Sequence, residues 1–321
     1  MSLPIRAAVV VSFVATAAQA ATFSSLVSFG DSLSDIGNLR SAAFNAIPGA
    51  PGYFDGRFSN GPIWIDGLSA GLGLPAPVRS TAGGNDYAYG LATSGTGTTP
   101  VPVLNVPIPN VRTQITGYAA ANVSTPTALY TVLGGANDLI GAIEGGATPV
   151  QQGLAAQAAA NNIVAGVQAL YNDGARNILV ANLPDLGNLP RFRGTSNQAA
   201  ATGIAATFDS SLGVQLSLLT ASSPGLNLYS LDLATLFTQA QANPGSFGLT
   251  NVTDPAYTND PNYLGSGTAV ANPAGYLFWD SIHPSAKGHS LVAAAALAAV
   301  PEPSAMAVVA LALPLLRRRR V

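Results

Sequence analysis

The residues best suited to chemistry lie in one turn near the start of the chain. The sequence FGDSLSDIGN follows a short β-prone run, Leu26–Phe29. A serine hydroxyl at the carboxyl end of a strand, next to the start of a helix, lies near backbone N–H groups that favour negative charge. Ser32 is therefore a candidate nucleophile. The alternative is a helix cap, in which Asp31 or Ser32 only accepts hydrogen bonds from the first helical turn.

A candidate base lies near the other end of the chain, in the sequence DSIHP. Pro284 biases His283 away from helical backbone geometry. On a loop, the spacing of Asp280 and His283 lets the carboxylate accept from Nδ1–H, so that Nε2 is left to take a proton from a serine. The alternative is again a helix cap, with Asp280 or Ser281 leading into a helix predicted over Ser285–Ala299.

Two internal segments supply candidate donors for an oxyanion. The sequence YTVLGGAND is typical of a buried strand that ends in glycines and then presents the amide of Asn137. The sequence GNDYAYG is a second strand followed by glycine, where the backbone N–H of Gly90 is the donor. Hydrogen-bond donors at this position can stabilise a developing negative charge. Taken singly, both are ordinary turn or strand-end residues, but the order of the four segments favours a serine hydrolase.

The four segments resemble the conserved blocks of the GDSL esterases and lipases, also called SGNH hydrolases, and the resemblance covers nearly all of residues 22–300. FGDSLSDIGN resembles the first block, LGGAND the third and DSIHP the last, while RFSNGP and NLPDLG look like landmarks between them. The resemblance implies a catalytic triad of Ser32, Asp280 and His283. It also implies an oxyanion hole formed by Ser32, Gly90 and Asn137.

The second block departs from the family pattern. Members similar to this chain usually read NYA, one further residue and then two glycines. Here the corresponding run is DYAYGL, with Asp86 in place of the asparagine and Leu91 in place of the second glycine. Gly90 is therefore the glycine to which the resemblance assigns the oxyanion role.

One further serine needs an explanation. The sequence GLSAG, centred on Ser69, matches the G-x-S-x-G motif, which requires a strand before it and a helix after it. The apolar residues around it fit one face of a helix that begins after Pro62, a residue suited to a first helical turn. We therefore predict that Ser69 lies within a helix and is not the nucleophile. His289 is likewise predicted to be a bystander on the polar side of its helix.

Composition limits the kinds of site that are expected. The chain has 321 residues, of which 9% are charged, and it has no cysteine and two histidines six residues apart. These numbers predict one sizeable α/β domain, no metal and no cofactor. Residues 21–300 carry 8 basic and 14 acidic side chains, a net charge of −6. No basic patch for nucleic acid is therefore predicted.

Both ends of the chain resemble processing signals. Residues 1–20 have one arginine, an apolar run and the sequence AQA before Ala21, as in a secretory signal peptide. Residues 301–321 resemble a PEP-CTERM sorting signal, which implies exosortase processing and export to the cell surface or exterior of a Gram-negative bacterium. The alternative is a tail anchor. The apolar stretch 305–316 would span about 18 Å as a helix, so only marginal or transient membrane association is predicted.

Short apolar segments alternate with longer helical ones between these ends. The predicted strands are Leu26–Phe29, Asp86–Tyr89, Ala128–Leu133, Asn177–Ala181 and Leu226–Leu231, and the predicted helices include Val150–Tyr171 and Asn197–Thr220. This alternation predicts a parallel sheet covered on both faces. The resemblance implies an α/β fold, a three-layer α/β/α sandwich with a mainly parallel five-stranded sheet, as in flavodoxin-like SGNH hydrolases.

The sequence thus predicts a secreted serine esterase or lipase that hydrolyses acyl esters, of lipids or small alcohols, through an acyl-enzyme. Two alternatives remain open. One is an O-acetyl esterase that acts on an extracellular polysaccharide with the same residues. The other is a catalytically silent surface or matrix protein on the same scaffold.

Overall fold

The computed structural model describes residues 23–258 and 263–300, so the predicted signal peptide and the predicted tail signal lie outside the described residues. Residues Phe23–Val300 pack as one unit. Its strands are β1 (Leu26–Phe29), β2 (Thr98–Pro100), β3 (Pro107–Pro109), β4 (Leu129–Val132), β5 (Asn177–Ala181), β6 (Asn227–Leu231), β7 (Asn251–Pro255), β8 (Tyr257–Thr258), β9 (Thr268–Ala269) and β10 (Tyr276–Phe278). Its helices are α1 (Asn38–Ala42), α2 (Trp64–Gly71), α3 (Val111–Ala121), α4 (Ala136–Glu144), α5 (Pro149–Asn172), α6 (Gln198–Ser222), α7 (Leu233–Ala242) and α8 (Ala286–Ala299).

A parallel sheet with the strand order β1–β4–β5–β6 forms the centre of the fold. Every residue of β1 and β4 is buried, which requires that both faces of the sheet be covered, as is usual for parallel strands. Helices α5 and α6 pack against each other in one layer, while α2 and α8 pack together in another. The chain therefore has the predicted three-layer α/β/α architecture.

The sheet differs from the prediction in one strand. Segment Asp86–Tyr89 runs parallel to β1 and donates from the N–H groups of Tyr87 and Tyr89 to the carbonyls of Ser28 and Gly30. It forms only an isolated bridge to Ser28, so the described residues contain four regular strands in this sheet and not five. Gly90 and Leu91 turn the chain away immediately afterwards, which leaves too few residues for a regular ladder.

The helices of the described ranges are all too short or too polar to cross a membrane. Their boundaries follow local signals. Helix α5 begins at Pro149 after Thr148, whose hydroxyl accepts from the Gln151 N–H, an arrangement that satisfies the first helical turn. The predicted α5 and α6 agree with the observed helices to within two residues at each end.

Asp86 is a carboxyl group buried beside the central sheet. Its Oδ1 accepts from Asn38 Nδ2 at 3.1 Å and from the Ala88 N–H at 3.2 Å, whereas Oδ2 has no hydrogen-bond partner among the described residues. Burial, and then the nearby Asp35 carboxyl group, raise the pKa of Asp86 well above its usual value. A carboxyl of this kind stabilises the folded state at low pH and loses that contribution as pH rises, because the unfolded chain ionises first.

We therefore expect Asp86→Asn to raise the free energy of unfolding near pH 7.5, with a smaller effect near pH 4. Chemical denaturation at the two pH values measures this difference. Asp254→Asn, at an exposed position, is the control and should change stability by less than about 0.5 kcal/mol. An Asp86→Asn effect that does not depend on pH would contradict the ionisation argument.

Candidate active site

Ser32 lies in a tight turn that follows β1. The carbonyl of Asp31 accepts from the N–H groups of Ser34 and Asp35 at 3.0 Å, and its side chain accepts from the Leu33 N–H at 3.1 Å. These bonds close the turn around Ser32, so Asp31 shapes the turn that presents the serine. The backbone N–H of Ser32 donates to no acceptor in the described part of the chain. Burial raises the pKa of Asp31 to about 6.

The structure brings the three predicted catalytic side chains into one hydrogen-bonded row. Ser32 Oγ lies 2.8 Å from His283 Nε2, and His283 Nδ1 lies 2.7 Å from Asp280 Oδ2. All three residues are buried, with Ser32 the most exposed at 7%. Serine and histidine are 251 residues apart in sequence, so this contact depends on the whole fold. The geometry is that of a nucleophile, a base and an acid that orients the base.

Backbone donors hold the carboxylate of this row in place. Asp280 Oδ1 accepts from the N–H groups of Ile282 at 2.9 Å and of His283 at 2.8 Å. Burial disfavours ionisation of Asp280, but the interaction with His283 and these backbone donors offset it, and the pKa of Asp280 lies below its usual value. The carboxyl is therefore ionised at neutral pH and can stabilise a protonated imidazole.

Segment Arg57–Pro62, one of the landmarks in the sequence, supports the loop that carries His283. Ser59 Oγ donates to the Pro284 carbonyl at 3.1 Å. Asn60 Oδ1 accepts from the Ala286 N–H at 2.8 Å, at the start of α8. The ring of Phe58 packs on the imidazole of His283, with centroids 4.9 Å apart. This segment therefore fixes both the backbone and the ring plane of His283.

Asn137 lies in the first turn of α4, directly after β4. Gly135, which precedes the helix, has φ of +110°, and a Cβ atom there would meet the ring of Phe208. Glycine is therefore required at the turn that presents Asn137. Asn137 Nδ2 donates to the Ala92 carbonyl at 2.9 Å, which orients the amide and leaves its second N–H without a protein acceptor in the described ranges.

The predicted role of Gly90 does not fit this geometry. The N–H of Gly90 donates to Asp35 Oδ2 at 2.8 Å, so it is already engaged in a buried hydrogen bond. The next N–H, that of Leu91, has no acceptor among the described residues. Leu91 has φ of +69°, a left-handed conformation that costs a residue other than glycine roughly 1–3 kcal/mol and often occurs at functional sites. The one feature of the sequence that pointed to Leu91 is that it stands where the second block of the family usually has its second glycine.

An apolar pocket opens beside Ser32, His283 and Asn137. Its cavity volume is about 40 Å³, well below the usual range for pockets that hold drug-sized ligands. Aliphatic and aromatic side chains from the carboxyl ends of the strands and from α4, α7 and α8 form most of its wall: Leu133, Ile140, Leu183, Leu186, Leu189, Leu233, Phe237, Ile282 and Val292. The sequence suggests two long loops, Ser94–Asn110 and Asn243–Ala274, either as pocket walls or as surface insertions, and their described residues do not line this pocket.

The remaining candidates are structural. Ser69 is buried within α2 and donates to the Pro75 carbonyl at 2.7 Å, as its helical pattern predicted. His289 is buried, so its predicted place on the polar side of α8 is wrong. Its Nδ1 accepts from the Trp64 N–H at 3.4 Å, and burial lowers the pKa of His289 to about 3. Among the residues that the structure describes, no cluster of histidine and carboxylate side chains could hold a metal ion.

Comparison with known proteins identifies the family. A sequence model of the GDSL-like lipases and acylhydrolases matches residues 26–296. The chain belongs to this family. This GDSL-family chain is 30% identical to esterase EstA of Pseudomonas aeruginosa over 90% of its own length and 49% of that protein. It is also 30% identical to the phosphatidylcholine-sterol acyltransferase of Aeromonas hydrophila, over 73% of its length and 66% of the relative.

The GDSL-family chain thus spans about half to two thirds of the length of these curated relatives. A GDSL esterase/lipase of Arabidopsis thaliana is 28% identical over 85% of this chain and 88% of its own length. Among solved structures, the carbohydrate acetylesterase Est24 of Sinorhizobium meliloti covers 85% of this chain and 96% of its own, with a TM-score of 0.44 and 16% identity. The domain is that of a carboxylic ester hydrolase.

Proposed function

We propose that this domain is a serine esterase that hydrolyses carboxylic esters through Ser32, His283 and Asp280. The observation that carries the proposal is the unbroken row of hydrogen bonds from Ser32 Oγ to His283 and on to Asp280, at 2.8 and 2.7 Å. A serine hydroxyl is a poor nucleophile unless an adjacent base takes its proton. The row supplies that base, together with a buried carboxylate that holds the imidazole in the required tautomer.

The reaction proceeds in two acyl transfers. His283 Nε2 takes the proton of Ser32 as Oγ attacks the ester carbonyl, and it then protonates the departing alcohol. In the second half, His283 takes a proton from water, the hydroxide adds to the acyl-enzyme, and the carboxylic acid leaves as the proton returns to Ser32 Oγ. Asp280 stays ionised throughout and stabilises the imidazolium that forms in each half.

Three N–H donors around Ser32 are available for the oxyanion of each tetrahedral intermediate. They are the backbone N–H of Ser32, the unpaired side-chain N–H of Asn137 and the backbone N–H of Leu91, which replaces Gly90 in this role. The bond from Asn137 to the Ala92 carbonyl links the amide to the segment that carries Leu91. Donors that are fixed in advance by such contacts do not have to reorganise during the reaction.

The apolar wall of the pocket supports an ester with an aliphatic acyl chain. The residues that line it are almost all apolar apart from the reacting groups and their immediate neighbours. Burial of each methylene group in such a site contributes about 0.8 kcal/mol, so an acyl chain longer than acetyl gains binding energy here.

A panel of p-nitrophenyl esters from acetate to palmitate, with acetylated xylan and phosphatidylcholine, tests the proposal on the isolated domain. We expect kcat/KM to rise from acetate to a medium acyl chain, and a fluorophosphonate to label Ser32. Preference for acetylated xylan would favour the O-acetyl esterase. Failure to turn over any ester, together with failure of the label, would favour the silent scaffold.

Phe237 offers a direct test of the pocket. We expect Phe237→Ala to raise the ratio of kcat/KM for long over short acyl esters by roughly tenfold, because removal of the ring enlarges an apolar wall that contacts the chain. Leu236→Ala is the matched control, since Leu236 lies on the same helix and does not line the pocket. The pocket assignment fails if both variants change the ratio equally.

Export is a separate proposal, which rests on the sequence of the two ends of the chain. We expect the mature protein to begin at Ala21 and to lack the terminal arginines, because the leader and the sorting signal are both removed. Intact-mass spectrometry of protein from a host with an exosortase measures both ends. An intact tetra-arginine end on exported protein would support a tail anchor and reject sorting.

A further inference from the structure

Tyr53 donates a hydrogen bond to the catalytic row, which is the hydrogen-bonded series Ser32, His283 and Asp280. No sequence motif predicts this contact. The Tyr53 hydroxyl donates to Asp280 Oδ2 at 2.8 Å. That oxygen is the one that accepts from His283 Nδ1 at 2.7 Å. The carboxylate therefore has two backbone donors on one oxygen and two side-chain donors on the other. Tyr53 is the one donor among these four that comes from outside the DSIHP loop.

The position of Tyr53 is fixed from several sides. Its ring packs edge-on against Tyr257 and Tyr263, at 5.6 and 6.2 Å, and tilted against Phe58 at 5.8 Å. The preceding residue, Gly52, accepts from Trp279 Nε1 at 2.9 Å, so adjacent residues of this loop contact adjacent residues of the catalytic loop. Burial, and then the Asp280 carboxylate, raise the pKa of Tyr53 far above its usual value, so the hydroxyl remains a donor.

We propose that Tyr53 is a positioning residue of the catalytic row, which shares Asp280 Oδ2 with His283 and thereby sets both the orientation of the carboxylate and the charge that it presents to the imidazole. The proposal rests on the proposed esterase function, because its kinetic effect is expressed through the His283 base. It goes beyond that function in assigning a fourth member to the row. A purely structural role would affect folding stability and leave the properties of the base unchanged.

The sign of the effect follows from the shared oxygen. A hydrogen bond to a carboxylate disperses part of its negative charge. Without the Tyr53 donor, Oδ2 presents more charge to His283 and stabilises the imidazolium more strongly. His283 then stays protonated up to a higher pH. The acidic limb of the plot of kcat/KM against pH therefore moves to higher pH. The loss of a fixed carboxylate orientation acts separately and lowers kcat.

Tyr53→Phe tests this, because it keeps the ring and removes only the donor. We expect the acidic limb of kcat/KM to move upward by roughly 0.5 pH unit and kcat to fall by about 3- to 10-fold. KM should be unchanged, since Tyr53 does not line the pocket. Difluorotyrosine at position 53, a stronger donor, should move the limb in the opposite direction and supplies a second variant that keeps every hydrogen bond.

Tyr257→Phe is the matched control. The hydroxyl of Tyr257 accepts from the Gly267 N–H at 2.7 Å and makes no contact with the catalytic row. Its ring stacks on Trp279 at 5.0 Å, so the control removes one hydroxyl from the same aromatic cluster. The other titratable groups that face His283 and Asp280 are Asp31, Tyr263 and His289, and all three are identical in the two variants.

Nuclear magnetic resonance of histidine-labelled protein gives a readout that needs no ester. The chain has two histidines, and the titration of the His283 ring is followed in each variant. We expect its midpoint to rise in Tyr53→Phe and to stay in place in Tyr257→Phe. An unmoved midpoint, or an equal movement in both variants, overturns the proposal. If the midpoint moves but no variant hydrolyses esters, the role of Tyr53 stands and the esterase function fails.

Discussion

Ser32→Ala is expected to lower kcat for ester hydrolysis by at least about 10⁴-fold, because it removes the atom that forms the acyl-enzyme. The residual rate would come from the oxyanion donors and the bound geometry, which the variant keeps. Folding should survive, since loss of one hydrogen bond to His283 Nε2 costs about 1 kcal/mol. Steady-state kinetics measures the loss of kcat. Mass spectrometry after fluorophosphonate treatment measures the expected loss of labelling at position 32.

Ser69→Ala provides the internal control for this experiment. Ser69 lies in the alternative G-x-S-x-G sequence, but its hydroxyl is buried and donates to a backbone carbonyl. We expect this variant to keep the activity of the unmodified enzyme and to lose a small amount of stability. Full activity in Ser32→Ala, or loss of labelling in Ser69→Ala, would reverse the assignment of the nucleophile.

Asp280→Asn is expected to lower kcat by about 10⁴-fold, because the imidazole of His283 then takes the wrong tautomer. An asparagine has one oxygen and one NH2 group where Asp280 has two acceptors. If the oxygen keeps the backbone donors of Ile282 and His283, the NH2 group faces Nδ1. The imidazole must then accept there and carry its proton on Nε2, where it cannot take the proton of Ser32.

The opposite orientation of the amide is less stable, since the NH2 group would then face the backbone N–H groups of Ile282 and His283. Either way the variant loses stability, because the donors that now meet an NH2 group are buried without an acceptor. Kinetics should therefore be measured below the melting temperature of the variant, as followed by circular dichroism. Asp173→Asn, at the end of α5 where the carboxylate accepts from the Ser124 N–H, is the control and should keep full activity. A folded Asp280→Asn with more than about a tenth of the activity would contradict the role of the acid.

The two largest expected effects come from substitutions of Ser32 and Asp280, which the sequence had already identified. Both residues lie in short motifs, and this is why the sequence could identify them. Asp280 and His283 are three residues apart, and Ser32 follows a strand within a turn of characteristic composition. Motifs of this kind are local, so a short stretch of sequence contains nearly all their information. Asn137 belongs to the same class, because the glycines that present it lie only two and three residues before it.

Residues that act from a distance gave weaker signals or none. Tyr53 lies 227 residues from Asp280 and stands in a loop without a motif, so only the folded chain shows the hydrogen bond. The resemblance to the second block of the family assigned the oxyanion role to Gly90. The fold assigned its N–H to Asp35 and forced Leu91 into the left-handed conformation, since the segment must both pair with β1 and turn towards Asn137.

The sequence by itself determined the architecture of this GDSL-family domain, in which parallel strands alternate with helices, and it predicted the residues that we propose as nucleophile, acid and base. Hydrophobic periodicity and short motifs are properties of neighbouring residues, which is why they can be read without a structure. The tertiary structure decided which N–H groups remain free around Ser32, which side chains line the pocket, and that Tyr53 contacts Asp280. Those features depend on the packing of segments far apart in the chain, where the position of each atom is set by its neighbours in space.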